Sequence, residues 1–292
     1  MFFSWLENHF KNKSNSVLLL CDLGYPEALD LMKVFPQRVL NVGVSEQNAA
    51  LVAKGLCAEG FEVFIYGISS FTLWRCAEVL KLYFGPEDSL RIIGNGGGLG
   101  YGLMGTTHHS IDDLGLVSLW PTWTSWIPAR DQEVPEVLTL LTQNAGPQYL
   151  RLTNNAATGK NSFEPLRAFS QGDKLTVVTV GPMVDLALEA AHQETGVQTF
   201  CIGKWPVDLE KINQHFAKTG RLLFIEEHQE PGSLSSQIKS QLDGSRKNIR
   251  SLTLSKSNTA GSRDALLKMQ GLDKKSIASH IVSMKNRVHD KD

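Results

Sequence analysis

Glu46 is the first residue around which chemistry can be organised. It stands between a short apolar run, Arg38-Val39-Leu40-Asn41-Val42-Gly43-Val44, and a stretch of small apolar residues from Ala49 to Ala58. The run reads as a buried strand and the stretch as a helix, which puts the carboxylate at a strand-to-helix turn. Ligands bind at such turns in open α/β sheets. A glutamate in a first helical turn also suits the helix dipole with no further role. Phe71 and Trp74 are one helical turn apart and share a face, as core-packing pairs commonly do. His108 and His109 follow Gly105-Thr106-Thr107 at the close of a glycine-rich loop. Adjacent histidines hold a metal only with acids or cysteines at suitable spacing, and the sequence offers none obviously placed. Asp22 directly follows the first apolar run, where an acid serves a turn or cap as readily as a ligand.

The loop itself contains Gly100-x-Gly102-x-x-Gly105. Its glycines do not directly follow the strand, and no acid about 20 residues on stands ready for a ribose hydroxyl, so a dinucleotide site is rejected. No Gly-Lys-Ser/Thr follows, which excludes a P-loop. The glycines either let backbone approach something bulky or only make a tight loop.

These residues need elements to position them. Apolar runs at Val17–Cys21, Arg38–Val44, Glu62–Tyr66, Leu90–Ile93, Thr122–Ile127 and Gln148–Leu152 read as strands. Helical stretches fall between them at Pro26–Val34, from Glu46, at Phe71–Tyr83, at Ser110–Leu114 and at Glu133–Thr142. Residues 1–11 read as an amphipathic first helix rather than a signal segment. From Thr153 to Asp173 the pattern lapses, which marks a linker. The alternation then resumes with strands at Lys174–Val180, Val197–Ile202, Arg221–Ile225 and Ile249–Leu254. The helices between and after them are Val184–Glu194, Leu209–Lys218, Leu234–Leu242, Arg263–Met269 and Lys274–Val288. This predicts an α/β protein with a mostly parallel sheet over 1–155, a linker over 156–172 and a smaller α/β domain over 173–292.

The bulk numbers fit that reading. The chain has 292 residues, 42% hydrophobic and 20% charged, long enough for two cores. A formal net charge of −1 makes no case for nucleic acid or an anionic membrane as partner. Cys21, Cys57, Cys76 and Cys201 are scattered without C-x-x-C, as buried free thiols of a reducing compartment would be. No apolar run approaches a membrane-spanning length, and a cytoplasmic location is expected.

Taken in order, Asp22-Leu23, Gly43-x-Ser45-Glu46-Gln47-Asn48, Ser69-Ser70-Phe71-x-x-Trp74 and Gly105-Thr106-Thr107-His108 form a recognisable series. Val177–Gly181, Trp205-Pro206-Val207-Asp208 and Glu226–Leu234 extend it. The chain resembles the C-terminal half of transketolases and their thiamine-diphosphate relatives. The resemblance implies a pyrimidine-binding domain followed by a transketolase C-terminal-type domain. It also implies roles. Glu46 would bond the aminopyrimidine ring nitrogen and favour the imino tautomer, which then deprotonates the thiazolium carbon. Phe71 and Trp74 would stack on the pyrimidine, His108 would meet substrate oxygens, and Asp22 would lie near the thiazolium ring.

Departures matter equally. The preceding family domain, whose G-D-G…N motif holds diphosphate through Mg2+ (or Ca2+), is not seen, and 21 residues precede Asp22. The resemblance therefore implies a separate N-terminal, diphosphate-binding subunit, in an α2β2 heterotetramer. It further implies transfer of a two-carbon ketol or acyl unit from a ketose or 2-oxo acid to a carbonyl acceptor. The β subunit of a 2-oxo-acid dehydrogenase or decarboxylase is an alternative, as is a non-catalytic partner-binding subunit. Where the family meets the sugar and its phosphate, this sequence has Met104, Gly96 and Thr153. Arg151 and Lys160 are the nearby cations, and a specialised, non-sugar-phosphate acceptor is expected.

Overall fold

The computed structural model describes residues 1–153, 162–242, 248–255 and 259–286. Phe2–Asn12 forms helix α1 because Phe2, Leu6 and Phe10 recur on one face, and all three are buried. The first sheet is built on Ser16–Leu20 (β1), Val39–Asn41 (β2), Glu62–Ile68 (β3), Leu90–Asn95 (β4), Thr124–Trp126 (β5) and Gln148–Arg151 (β6). These six pair in parallel, and β1 is buried along its whole length. Both faces are covered, which is why its residues read as unbroken apolar runs.

The helices of this part are Tyr25–Val34 (α2), Glu46–Ala58 (α3), Ser69–Trp74 (α4), Ala77–Tyr83 (α5), Asp113–Val117 (α6) and Val134–Gln143 (α7). The single helix expected over Phe71–Tyr83 is thus two. At Cys76 the backbone N–H bonds back to Leu73 rather than to residue 72, a tightened turn that ends α4 and redirects the chain. The strand expected over Arg38–Val44 stops at Asn41, whose side chain accepts from the N–H of Gly43 and folds the chain into a turn.

The second sheet has the order β12-β11-β8-β9-β7. Its strands are Leu166–Ala168 (β7), Leu175–Val180 (β8), Val197–Ile202 (β9), Leu222–Gln229 (β11) and Ile249–Leu254 (β12). Met183–Ala190 (α8), Glu210–Thr219 (α9), Leu234–Gln241 (α10), Arg263–Met269 (α11) and Lys274–Lys285 (α12) complete it. Strand β7 lies inside the stretch expected as linker and pairs antiparallel with β9, so the second sheet begins earlier than the loss of periodicity suggests. Three residues are too few to show a period.

Lys204–Trp205 forms a further short strand (β10). It follows β9 in sequence but pairs antiparallel with β5, giving the first sheet the order β10-β5-β6-β4-β3-β1-β2. The two units also share apolar contacts: Leu114, Trp120 and Trp123 of the first belong to one buried cluster with Phe200, Trp205 and Leu234 of the second. All four cysteines are free thiols, with Cys57 partly exposed and the others buried.

Candidate functional site

The site gathers at the carboxyl ends of β1 to β4. Glu46 is the first residue of α3 and is 4% exposed. Its Oε2 accepts from Arg75 Nη1 at 2.8 Å. The same guanidinium lies over the Phe71 ring, 4.0 Å from its centroid. Glu46 and Phe71, separated by 25 residues of chain, are therefore bridged by one side chain that sequence reasoning did not single out.

Phe71 and Trp74 do not pack into the core. Leu73 of α4 does so, fully buried, which turns Phe71 and Trp74 toward the outside; Trp74 is 49% exposed. The Trp74 indole N–H donates to Asp112 Oδ1 at 2.8 Å, fixing the ring at the rim. A pocket of about 450 Å³ opens here, with Phe71, Trp74, Arg75, Thr107 and Asp112 among its lining residues.

His108 reaches the same place from the glycine loop. Its ring meets Phe71 edge-on, with centroids 4.9 Å apart, and Nδ1 lies 2.9 Å from Thr107 Oγ1. Burial, then the nearby Arg75 and His109, push its pKa below the ordinary histidine value, which favours the neutral imidazole. His109 is buried, lines the same pocket and sets its Nε2 3.5 Å from Gly102 O. Among the described residues no cluster of three or more His, Cys, Asp or Glu side chains could hold a metal ion.

Asp22 belongs to a second cluster. It sits just past β1 with φ +54, in the left-handed region that side chains rarely adopt. Asn41 holds it there, accepting from Asp22 N–H and donating to Asp22 Oδ1, both at 3.2 Å. A strained backbone pinned by a neighbouring side chain is a common feature of functional sites.

The glycine loop approaches the protein's own bulk. A Cβ on Gly96 (φ +79) would lie 2.1 Å from the Tyr101 ring, so that ring fills the space a side chain at 96 would need. A Cβ on Gly98 would strike the carboxyl group of Glu227, which accepts from Leu99 N–H at 2.9 Å and pairs with Arg263 at 2.6 Å. The second unit thereby grips the loop that carries His108.

Arg151 is structural: 5% exposed, it bonds Asp113 Oδ2 at 2.7 Å and the carbonyls of Ser110 and Glu227. Tyr149 donates to the same Asp113 oxygen at 2.6 Å. Met104 is 63% exposed, and Lys160 lies outside the described residues. Arg75, Asn41 and Tyr101 were missed, and Glu227 was noted only within the Glu226–Leu234 motif, because their partners are distant in sequence and no spacing rule joins them.

With this geometry in hand, comparison with known proteins is informative. The model of the transketolase pyrimidine-binding domain matches residues 9–159, and that of the transketolase C-terminal domain matches 166–277. An apulose-4-phosphate transketolase subunit from Phocaeicola vulgatus is 27% identical over 262 residues, 85% of this chain and 84% of that protein. A putative transketolase C-terminal section of Methanocaldococcus jannaschii is 26% identical over 289 residues, 93% of this chain and 91% of its own. Among solved structures, a split-gene transketolase described as an inactive beta4 tetramer superposes with a TM-score of 0.85 at 23% identity, covering 97% of this chain and 96% of that one. Transketolase from Campylobacter jejuni gives a TM-score of 0.79 at 16% identity, covering 97% of this chain but 46% of its own. The chain belongs to the transketolase family of thiamine-diphosphate enzymes, with that family's pyrimidine-binding domain followed by its C-terminal domain.

Proposed function

We propose that this chain is the pyrimidine-binding subunit of a two-chain, thiamine-diphosphate-dependent transferase. It would move a two-carbon ketol, or an acyl unit, onto an aldehyde or ketone. The observation that carries this is a pocket lined by the outward-facing Phe71 and Trp74, with buried Glu46 tied to it through Arg75 and the His108 ring set against Phe71. The residues fit the cofactor's pyrimidine. A planar guanidinium already spans the Glu46 carboxyl group and the Phe71 face, and a flat ring whose nitrogen bonds that carboxyl group needs the same two surfaces.

Bound thiamine diphosphate supplies a nucleophilic carbon for addition to carbonyl groups. Glu46 holds a proton at the ring nitrogen of the pyrimidine. Phe71 and Trp74 orient that ring and keep water from it. His108, its ring steadied by Thr107 at Nδ1, offers the other nitrogen to a substrate oxygen.

The relatives named as one subunit of a transketolase and as a transketolase C-terminal section support a partner chain that binds the diphosphate with Mg2+ or Ca2+. A cytoplasmic heterotetramer with two of each chain is the arrangement we favour. Among the described residues, no helix is long and apolar enough to cross a membrane.

Co-purification with the partner, followed by a transfer assay with and without thiamine diphosphate, tests the reading. The pair is expected to turn over and this chain alone is not. Glu46→Gln should assemble normally and lose about 10²–10⁴-fold in rate, the usual value of a positioned proton transfer. A Glu46→Gln pair retaining more than half of normal turnover would remove Glu46 from the mechanism.

The acceptor we favour is not a simple sugar phosphate. Tyr101 occupies the space at Gly96, and Met104 faces solvent with an apolar side chain where the family carries an acid. Assays with xylulose 5-phosphate and ribose 5-phosphate decide this. Efficiency of about 10⁴ M⁻¹s⁻¹ or more, the ordinary enzyme range, would overturn it.

A further inference from the structure

We propose that Arg75 is a resident placeholder of the pyrimidine seat: it occupies the Glu46 carboxylate and the Phe71 face in the free chain and is displaced when the cofactor ring enters. The proposal rests on the reading of Glu46 and Phe71 given above and goes beyond it to a residue with no role there.

Two independent contacts point the same way. The guanidinium donates to Glu46 Oε2 at 2.8 Å and so occupies the carboxyl group that the pyrimidine ring nitrogen has to reach. Its central carbon lies 4.0 Å from the Phe71 centroid, which is stacking distance for a planar group. A ring stacked on that face cannot share it with a guanidinium already there, so one must leave.

Burial explains why a placeholder is useful and why it can go. Glu46 is 4% exposed, and a carboxylate left unpaired in such a place is costly. Arg75 offsets that cost and keeps the seat assembled without its ligand. The Arg75 side chain is itself 47% exposed, so on release its charge returns to water with little penalty. Its backbone lies within the tightened turn between α4 and α5, outside the regular turns of either helix. Trp74, its neighbour, is tied to Asp112 and stays at the rim while Arg75 moves.

The test is calorimetric and needs no turnover. Thiamine diphosphate is titrated into the magnesium-containing pair assembled with wild-type chain, Arg75→Ala, Arg75→Met and Glu46→Ala. The half-exposed ion pair and the cation–π contact must both be given up in the wild type, so Arg75→Ala should bind about tenfold tighter. Millimolar methylguanidinium should return Arg75→Ala towards wild-type affinity and leave the wild type unchanged, an effect no merely structural role predicts. Arg75→Met keeps the apolar stem and serves if the alanine variant assembles poorly; it should also bind more tightly. Unchanged or weaker binding in both variants overturns the proposal and makes Arg75 a bystander or a holo-state ligand. Glu46→Ala separates the two readings. Wild-type affinity in that variant would remove the seat itself, whereas weakened binding there with no gain at position 75 removes the placeholder alone.

Discussion

Glu227→Ala should be among the most damaging single changes in the second unit, and its size can be worked from the contacts. The Glu227 carboxylate is 3% exposed and accepts from Arg263 Nη2 at 2.6 Å, from Arg263 Nε at 2.9 Å and from Leu99 N–H at 2.9 Å. Removing it strands a guanidinium that is 12% exposed, which costs about 3–5 kcal/mol by analogy with other broken buried pairs. The Leu99 N–H loses its acceptor as well, worth about 1–3 kcal/mol when no water replaces it. One carboxylate serves both, so the two do not add in full, and a total of about 4 kcal/mol is expected. Urea unfolding monitored by far-ultraviolet circular dichroism measures the loss, and hydrogen exchange at Leu99 reports whether the glycine loop is the part released. Because that loop carries His108 to Phe71, activity of the assembled pair should fall even below the denaturation midpoint. A loss under about 1 kcal/mol, with Leu99 exchange unchanged, would show that the second unit does not hold the loop through this carboxylate.

Other expectations follow from single sites. Gly96→Ala must place a Cβ at φ +79 and 2.1 Å from the Tyr101 ring, so it should destabilise by about 2 kcal/mol, read by urea unfolding. Tyr101→Ala should relieve much of that loss in the double variant. Glu62, the first residue of β3, is buried; burial works to raise its pKa, but His9, Arg91 and Lys13 outweigh it and leave the value below the ordinary 4.5. A depressed carboxylate stabilises the fold above the unfolded value and loses that contribution as pH falls through the folded one. Stability should therefore drop below about pH 4.5, and Glu62→Gln should flatten that drop while costing about 3 kcal/mol at neutral pH. His108→Ala should lower rate by an amount that differs between substrates, measured over a panel of donors and acceptors; equal loss for all would place His108 with the cofactor instead.

The sequence alone determined a good deal. The runs Val17–Cys21 and Lys174–Val180 read as buried strands, and the structure has Ser16–Leu20 and Leu175–Val180 buried throughout. The alternation of such runs with amphipathic stretches set the α/β class. Asp22, Glu46, Phe71, Trp74 and His108 could be singled out because each lies in a short motif, and the order of those motifs resembles the transketolase family. Local pattern has no reach across the chain, and this is where sequence reading stopped. Arg75 next to Trp74 carries no signal of its own; only the fold sets its guanidinium between Glu46 and Phe71. The glycines of the 94–105 loop announced a close approach without saying to what, since Tyr101 and Glu227 are brought there by packing. Strands β7 and β10, three and two residues long, are too short to show a period, and their hydrogen-bonding partners alone make them strands. Periodicity records which side of an element faces a core, whereas a site is made by which elements meet, and that was decided by the tertiary structure.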